Sequence, residues 1–166
     1  MKSLVKVLCA ALMVILGCAT EPAMSAEPKA TDPVGDESNI RNVLKGFAEA
    51  WNRHDAQAFS RAFAEDADFT NVRGISAHGR TEIAKFHAPI FADIFKDSSL
   101  KIDDVRVRFI KLDVAAVDEW WEMTGARDRN GQEIPLRKGL LTLVMTKQDA
   151  QWVISVMHNM DLPVSP

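Results

Sequence analysis

KIDDVRVRFIKLDVAAVDEWWEM, residues 101–123, decides the fold. Val105, Val107 and Phe109 alternate with Arg106 and Arg108, so the apolar side chains fall on one face of an extended chain. VAAVDEWWEM continues as a second strand, and RNGQ then supplies the Asn130-Gly131 turn signal. GLLTLVMT, the break KQDAQ and WVISVMHN complete four consecutive strands, which predicts an antiparallel meander from Leu100 onward.

Upstream of Leu100 the apolar period is about 3.6 rather than 2. Ser38 stands where a helix cap should, and Ile40, Val43, Leu44, Phe47 and Trp51 follow at helical spacing. Asp55 caps a second helix through AQAFSRAFAE, with Phe59 and Phe63 on one face, and FAEDADFTNVRG (63–74) reads as the end of that helix running into a short strand. Gly74 and Gly79 bracket a turn. A third helix, GRTEIAKFHAPIFADIF, carries Ile83, His87, Ile90 and Ile94 on one stripe, and Pro89 should kink or split it near Ala88. Helices first and strands after imply an α+β domain with one sheet face packed on the helices. In the last strand Trp152, Ile154, Val156 and His158 share one face by simple alternation, and Val153, Ser155, Met157 and Asn159 the other. Both faces are partly apolar, so the outer one is expected to be covered by a second copy of the chain.

The ends set the organisation. Lys2 and Lys6 flank an apolar run, Leu4 to Leu16, followed by small residues, the three-part pattern of an export signal over 1–25. The run falls short of the roughly 20 residues of a transmembrane helix. Two processing routes are open: cleavage near Ala23, Ser25 or Ala26, or a lipid anchor at Cys18. Either predicts an exported product, periplasmic, secreted or held at a membrane. EPKATDPVGDE reads as a flexible linker over 26–37, the folded domain as 38–161 and a tail as 162–166. Cys9 and Cys18 are the only cysteines, so residues 38–161 have no disulfide. The net charge is −3 with Lys and Arg scattered, which argues against nucleic acid as a partner.

Few side chains offer chemistry. His87 interrupts an isoleucine stripe facing the core, so it needs either a hydrogen-bond partner or a cavity. His158 is the second candidate, on the face of Trp152 and Ile154; pointing inward with His87 and Asn71, it would give a polar patch in an apolar cup. Trp51, Phe69 and Trp121 could line such a cup, though tryptophans at these spacings are more often plain core. Trp120 and Trp121, being adjacent, must face opposite ways. Arg80 opens the third helix as a surface or capping residue or as an anion clamp at the cavity mouth. The four histidines lack metal-ligand spacing, GISAHG lacks the pattern of a nucleophile elbow, and no glycine-rich phosphate cradle is present. No metal and no cofactor is therefore expected.

AWNRHDAQAF, FAEDADFTNVRG, GRTEIAKFHAPIF, VDEWWEMTG and WVISVMHN together resemble the SnoaL-like branch of the nuclear-transport-factor-2-like superfamily, nearest its SgcJ/EcaC-type group, across Ser38 to Asp161. The resemblance implies a cone: a curved antiparallel sheet wrapped around helices, a ligand cavity at the open end, and dimers through the outer sheet face. Relatives include isomerases, cyclases, dehydratases and non-catalytic association modules, so the fold alone assigns no reaction. Ketosteroid isomerases in the superfamily place their general-base aspartate where this chain has Asn71, and a network tyrosine where it has His87. This chain contains no tyrosine, and GLLTLVMT offers no carboxyl group for the second aspartate of that mechanism. Two functions remain: a cone that binds a small, mostly apolar molecule, with His87 and His158 as acid-base residues acting on a carbonyl or hydroxyl compound, or a dimeric binding module without turnover.

Overall fold

The computed structural model describes residues 33–163. The segment expected to be an export signal, with Cys18, the part of the expected linker up to residue 32 and the last three residues lie outside them. The element order is α1 (Pro33–Asn52), α2 (Ala56–Ser60), β1 (Phe63–Thr70), β2 (Ser76–His78), α3 (Arg80–Ala92), β3 (Ser99–Lys111), β4 (Val114–Thr124), β5 (Arg137–Gln148) and β6 (Gln151–Leu162). One six-stranded sheet runs in the order β2-β1-β6-β5-β4-β3. β3 to β6 form the expected antiparallel meander, and β1 joins β6 in parallel.

Three local expectations need correction. Residues 33–37 are helical rather than part of a tether, because proline at the first turn of a helix loses no hydrogen bond and brings a pre-set φ. AQAFSRAFAE is helical only to Ser60, and Phe63 to Glu65 are strand. There Phe63 pairs with Ile154 and is fully buried against Phe59 and Phe47, so tertiary pairing overrides the helical spacing of Phe59 and Phe63. α3 runs unbroken through Pro89 to Ala92.

The helices fill the concave side of the sheet. Phe47, Trp51 and Phe59 meet at ring-centroid distances of 4.5–5.8 Å, which packs α1 on α2, and Ile40, Leu44, Leu143, Met145 and Ile154 are buried around them. The start of α1 is tied to the sheet by Asp36, only 4% exposed, whose Oδ1 accepts from Lys147 Nζ at 2.6 Å and Trp152 Nε1 at 3.0 Å. These bonds, the Lys147 one foremost, hold the Asp36 carboxyl below its ordinary value of 3.8. Asp36→Asn is expected to destabilise the domain by ~1–2 kcal/mol at neutral pH in urea unfolding. Because the folded-state value is the lower one, that difference is present above the unfolded value and fades as the pH falls through the folded one.

The decisive irregularity is in β6. Val144 pairs with Val156 but Met145 with Ile154, so Ser155 is an extra residue. A bulge of one residue reverses which face the following side chains occupy. Trp152 and Ile154 point inward as expected, but beyond the bulge Met157 is the inward residue, 2% exposed, and His158 is exposed.

Candidate functional site

At the open end of the cone lies a cavity of about 850 Å³, within the range of small-molecule sites. α1 contributes Phe47 and Trp51, α3 contributes Phe86, His87 and Ile90, β1 contributes Phe69, and the inner faces of β4 to β6 contribute Trp121, Leu141 and Met157. Two loops, 71–75 and 127–134, edge it.

His87 is 2% exposed and surrounded by rings, Phe59 at 4.3 Å, Phe69 at 4.9 Å and Phe86 at 5.2 Å between centroids. Its Nδ1 lies 2.7 Å from the Ile83 carbonyl, which can only accept, so Nδ1 carries the proton and Nε2 is left as an acceptor. Burial pushes the His87 pKa down to about 4, so the ring is neutral at neutral pH. It cannot serve as a resident acid there; it can accept a hydrogen bond or a proton.

The remaining candidates divide. Trp51 lines the cavity with its indole N–H satisfied by Ser98 Oγ at 3.0 Å, and Phe69 lines it beside Phe86. Trp121 faces in and Trp120 out, where Trp120 packs under Arg106. Asn71 lies at the mouth, but its Oδ1 accepts from the backbone N–H of Arg73 and of Ile75, both at 2.9 Å, so that oxygen is occupied in shaping the loop. His158 does not line the cavity: the bulge at Ser155 turns it to the outer face. Arg80 does not line it either; Nε and Nη2 donate to the Phe63 carbonyl at 2.9 and 2.6 Å and Nη1 pairs with Glu65, which pins α3 to β1.

The same bulge brings in residues that alternation had put elsewhere. Met157, Asn159 and Asp161 form an inward ladder that becomes polar toward the mouth. Trp121 Nε1 donates to Asn159 Oδ1 at 3.0 Å, and Arg137 Nη2 donates to Asp161 Oδ1 at 2.6 Å. Trp121 on β4 can reach across β5 to Asn159 on β6 because its partner on β5 is Gly139. A Cβ at Gly139 would run into the indole and stand 2.6 Å from the Met160 carbonyl oxygen.

One buried acid stands apart. Glu119, two residues before Trp121 on the same face of β4, is fully buried, and neither carboxyl oxygen has a partner among the described residues. Burial pushes its pKa up to about 8. It is not among the cavity-lining residues. Among the described residues no group of three or more His, Cys, Asp or Glu could hold a metal ion.

A SnoaL-like domain model matches residues 40–159. A domain of unknown function with a cystatin-like fold from Nostoc punctiforme is 30% identical, over 80% of this chain and 81% of that one, with a TM-score of 0.67. An uncharacterised cystatin-fold protein from Caulobacter vibrioides is 23% identical over 76% of this chain and 89% of its own, at 0.71. The crystal structure of LinA superposes at 0.72 with 13% identity, over 80% and 90% of the two chains. No curated protein sequence matches the chain.

Proposed function

We propose, on the premise that the chain belongs to the SnoaL-like domain family, that it binds a small, mostly apolar molecule carrying a hydroxyl group, with that hydroxyl donating to His87 Nε2. The observation that supports this is the cavity of about 850 Å³, whose inner walls are aromatic and aliphatic and into which His87 and Asn159, each oriented by its own hydrogen bond, project as polar points. If the bound compound is turned over, His87 is the base. It is fixed in one tautomer and held neutral by burial, which leaves its second nitrogen free to take a proton. Nothing in the site supports the aspartate and tyrosine chemistry of the ketosteroid isomerases, since Asn71 cannot take up a proton.

Matched probes test the reading. In calorimetric titration 2-naphthol is expected to bind more tightly than naphthalene, and His87→Leu to remove roughly a tenfold advantage of the hydroxyl compound while leaving naphthalene unchanged. His158→Ala is expected to leave both affinities as they are. Equal binding of the two probes by the unaltered protein would refute the role of His87.

Three further proposals accompany this reading. The outer row Trp120, Leu140 and Met160, cross-strand neighbours with Met160 44% exposed, is where a second copy would pack, and a monomeric sedimentation coefficient at micromolar concentration would dismiss it. Export rests on the first 25 residues, and mass spectrometry of the mature amino terminus decides between cleavage and lipidation at Cys18. Nearness to the SgcJ/EcaC-type group within the family rests on the five segments quoted above.

A further inference from the structure

The polar end of the cavity has its own chemistry. Arg137 presents five N–H donors on a side chain only 18% exposed, yet among the described residues a single acceptor, Asp161 Oδ1, is bonded to it. Its guanidinium lies 5.6 Å from the Trp121 ring centroid and 6.0 Å from that of Phe95, contacts that fix its plane against the cavity wall. Beside it, Asn159 is oriented by its partner. An indole N–H can only donate, so Asn159 gives Trp121 its oxygen and keeps both amide hydrogens for the cavity. These donors open onto the cavity, where an acceptor group of a bound molecule can meet them. The charge has the same sign: four arginines and three aspartates line the cavity, although the chain as a whole carries −3. Arg73 and Arg129 at the mouth have no ion pair among the described residues.

Resting on the ligand-binding reading above, we infer that the molecule carries a carboxylate, received by the guanidinium fork of Arg137 and the amide of Asn159, at the polar end of the cavity away from His87. A planar fork matches a carboxylate in two parallel hydrogen bonds, which an ester or a lone hydroxyl cannot reproduce. In the wall the rings of Trp51 and Phe95 connect the two polar points, since His87 packs on Trp51 at 6.3 Å, Trp51 on Phe95 at 5.1 Å, and Arg137 over Phe95. The ligand class is therefore a hydroxy acid with an aromatic or alicyclic body: acid at one end, hydroxyl at the other.

The test compares 6-hydroxy-2-naphthoate with 2-naphthol by calorimetry at pH 7 and low salt. The acid is expected to bind roughly tenfold tighter, and Arg137→Gln to erase that preference with the affinity for 2-naphthol unchanged. Asp161→Asn, which frees a donor and removes a competing negative charge, is expected to enlarge the preference. It decides alone if Arg137→Gln does not fold: an unchanged or smaller preference overturns the inference. Equal affinities in the unaltered protein, or an Arg137→Gln loss shared equally by both probes, overturn it while leaving the cavity a binding site. Failure of the acid alone to bind overturns this inference only, and failure of both compounds overturns it together with the reading beneath it.

Discussion

Replacing Glu119 with leucine is expected to stabilise the domain by ~2–4 kcal/mol at pH 8 and to abolish a decline in stability that the unaltered protein shows above pH 6.5. The carboxyl is buried without a partner, and its pKa rises from 4.5 in the unfolded chain to about 8 in the fold. Between those values the folded state holds a proton that the unfolded state has released, so folding becomes less favourable as the pH rises. His87 acts in the opposite sense, since its pKa falls from 6.5 to about 4, and between those values the unfolded state holds the extra proton. From pH 4.5 to 6.5 the two contributions cancel, one proton against one, and stability is level. From 6.5 to 8 Glu119 acts alone, and the loss is about 2 kcal/mol. Urea titrations at pH 5, 6.5 and 8 check this. A stability unchanged between pH 6.5 and 8, or the same decline in Glu119→Leu, refutes the assignment of a neutral Glu119.

The second large effect belongs to Gly139. A methyl group there collides with the Trp121 indole and with the Met160 carbonyl, so Gly139→Ala is expected to cost ~3–5 kcal/mol, the range of severe core disruption. The cost comes from a specific side chain. Gly139 faces Trp121 across the strand pair, and the indole crosses the space a Cβ would fill to reach Asn159. Removing the indole first should therefore relieve most of the penalty, and Gly139→Ala in a Trp121→Leu background is expected to cost less than half as much. Equal costs in the two backgrounds would show that the backbone of β6, rather than Trp121, is what the methyl group meets. Gly139→Ala should also lower the affinity for 6-hydroxy-2-naphthoate more than that for 2-naphthol, because Asn159 and Arg137 both take their orientation from Trp121.

The meander was legible because charged and apolar residues alternate from Asp104 to Phe109 in β3, as in Arg106 and Arg108, and that alternation survives burial on one side only. β6 lacked such a signal. Trp152, Val153, Ile154 and Val156 are apolar on both sides, so alternation fixed the strand but not its register, and neither glycine nor proline marks the bulge at Ser155. One unmarked residue thus exchanged His158 for Asn159 in the cavity and concealed Asp161 with its partner Arg137. His87 was legible for the opposite reason, since a polar side chain in an isoleucine stripe has to be explained by what surrounds it. Glu119 was within reach of the same logic: parity along VDEWWEM puts it on the face of Val117 and Trp121. The helical reading of Phe63 failed because spacing along the chain cannot reveal a parallel partner ninety residues on.

The central claim is that His87 offers an unprotonated Nε2 to a ligand in an apolar cavity. The most direct measurement is a long-range ¹H–¹⁵N correlation spectrum of the imidazole rings during titration with 2-naphthol at pH 7. The claim predicts a neutral His87 protonated at Nδ1, whose Nε2 resonance moves as the site fills while those of His158 stay in place. A His87 that is charged or protonated at Nε2, or one whose resonances stay fixed at saturation, would contradict it.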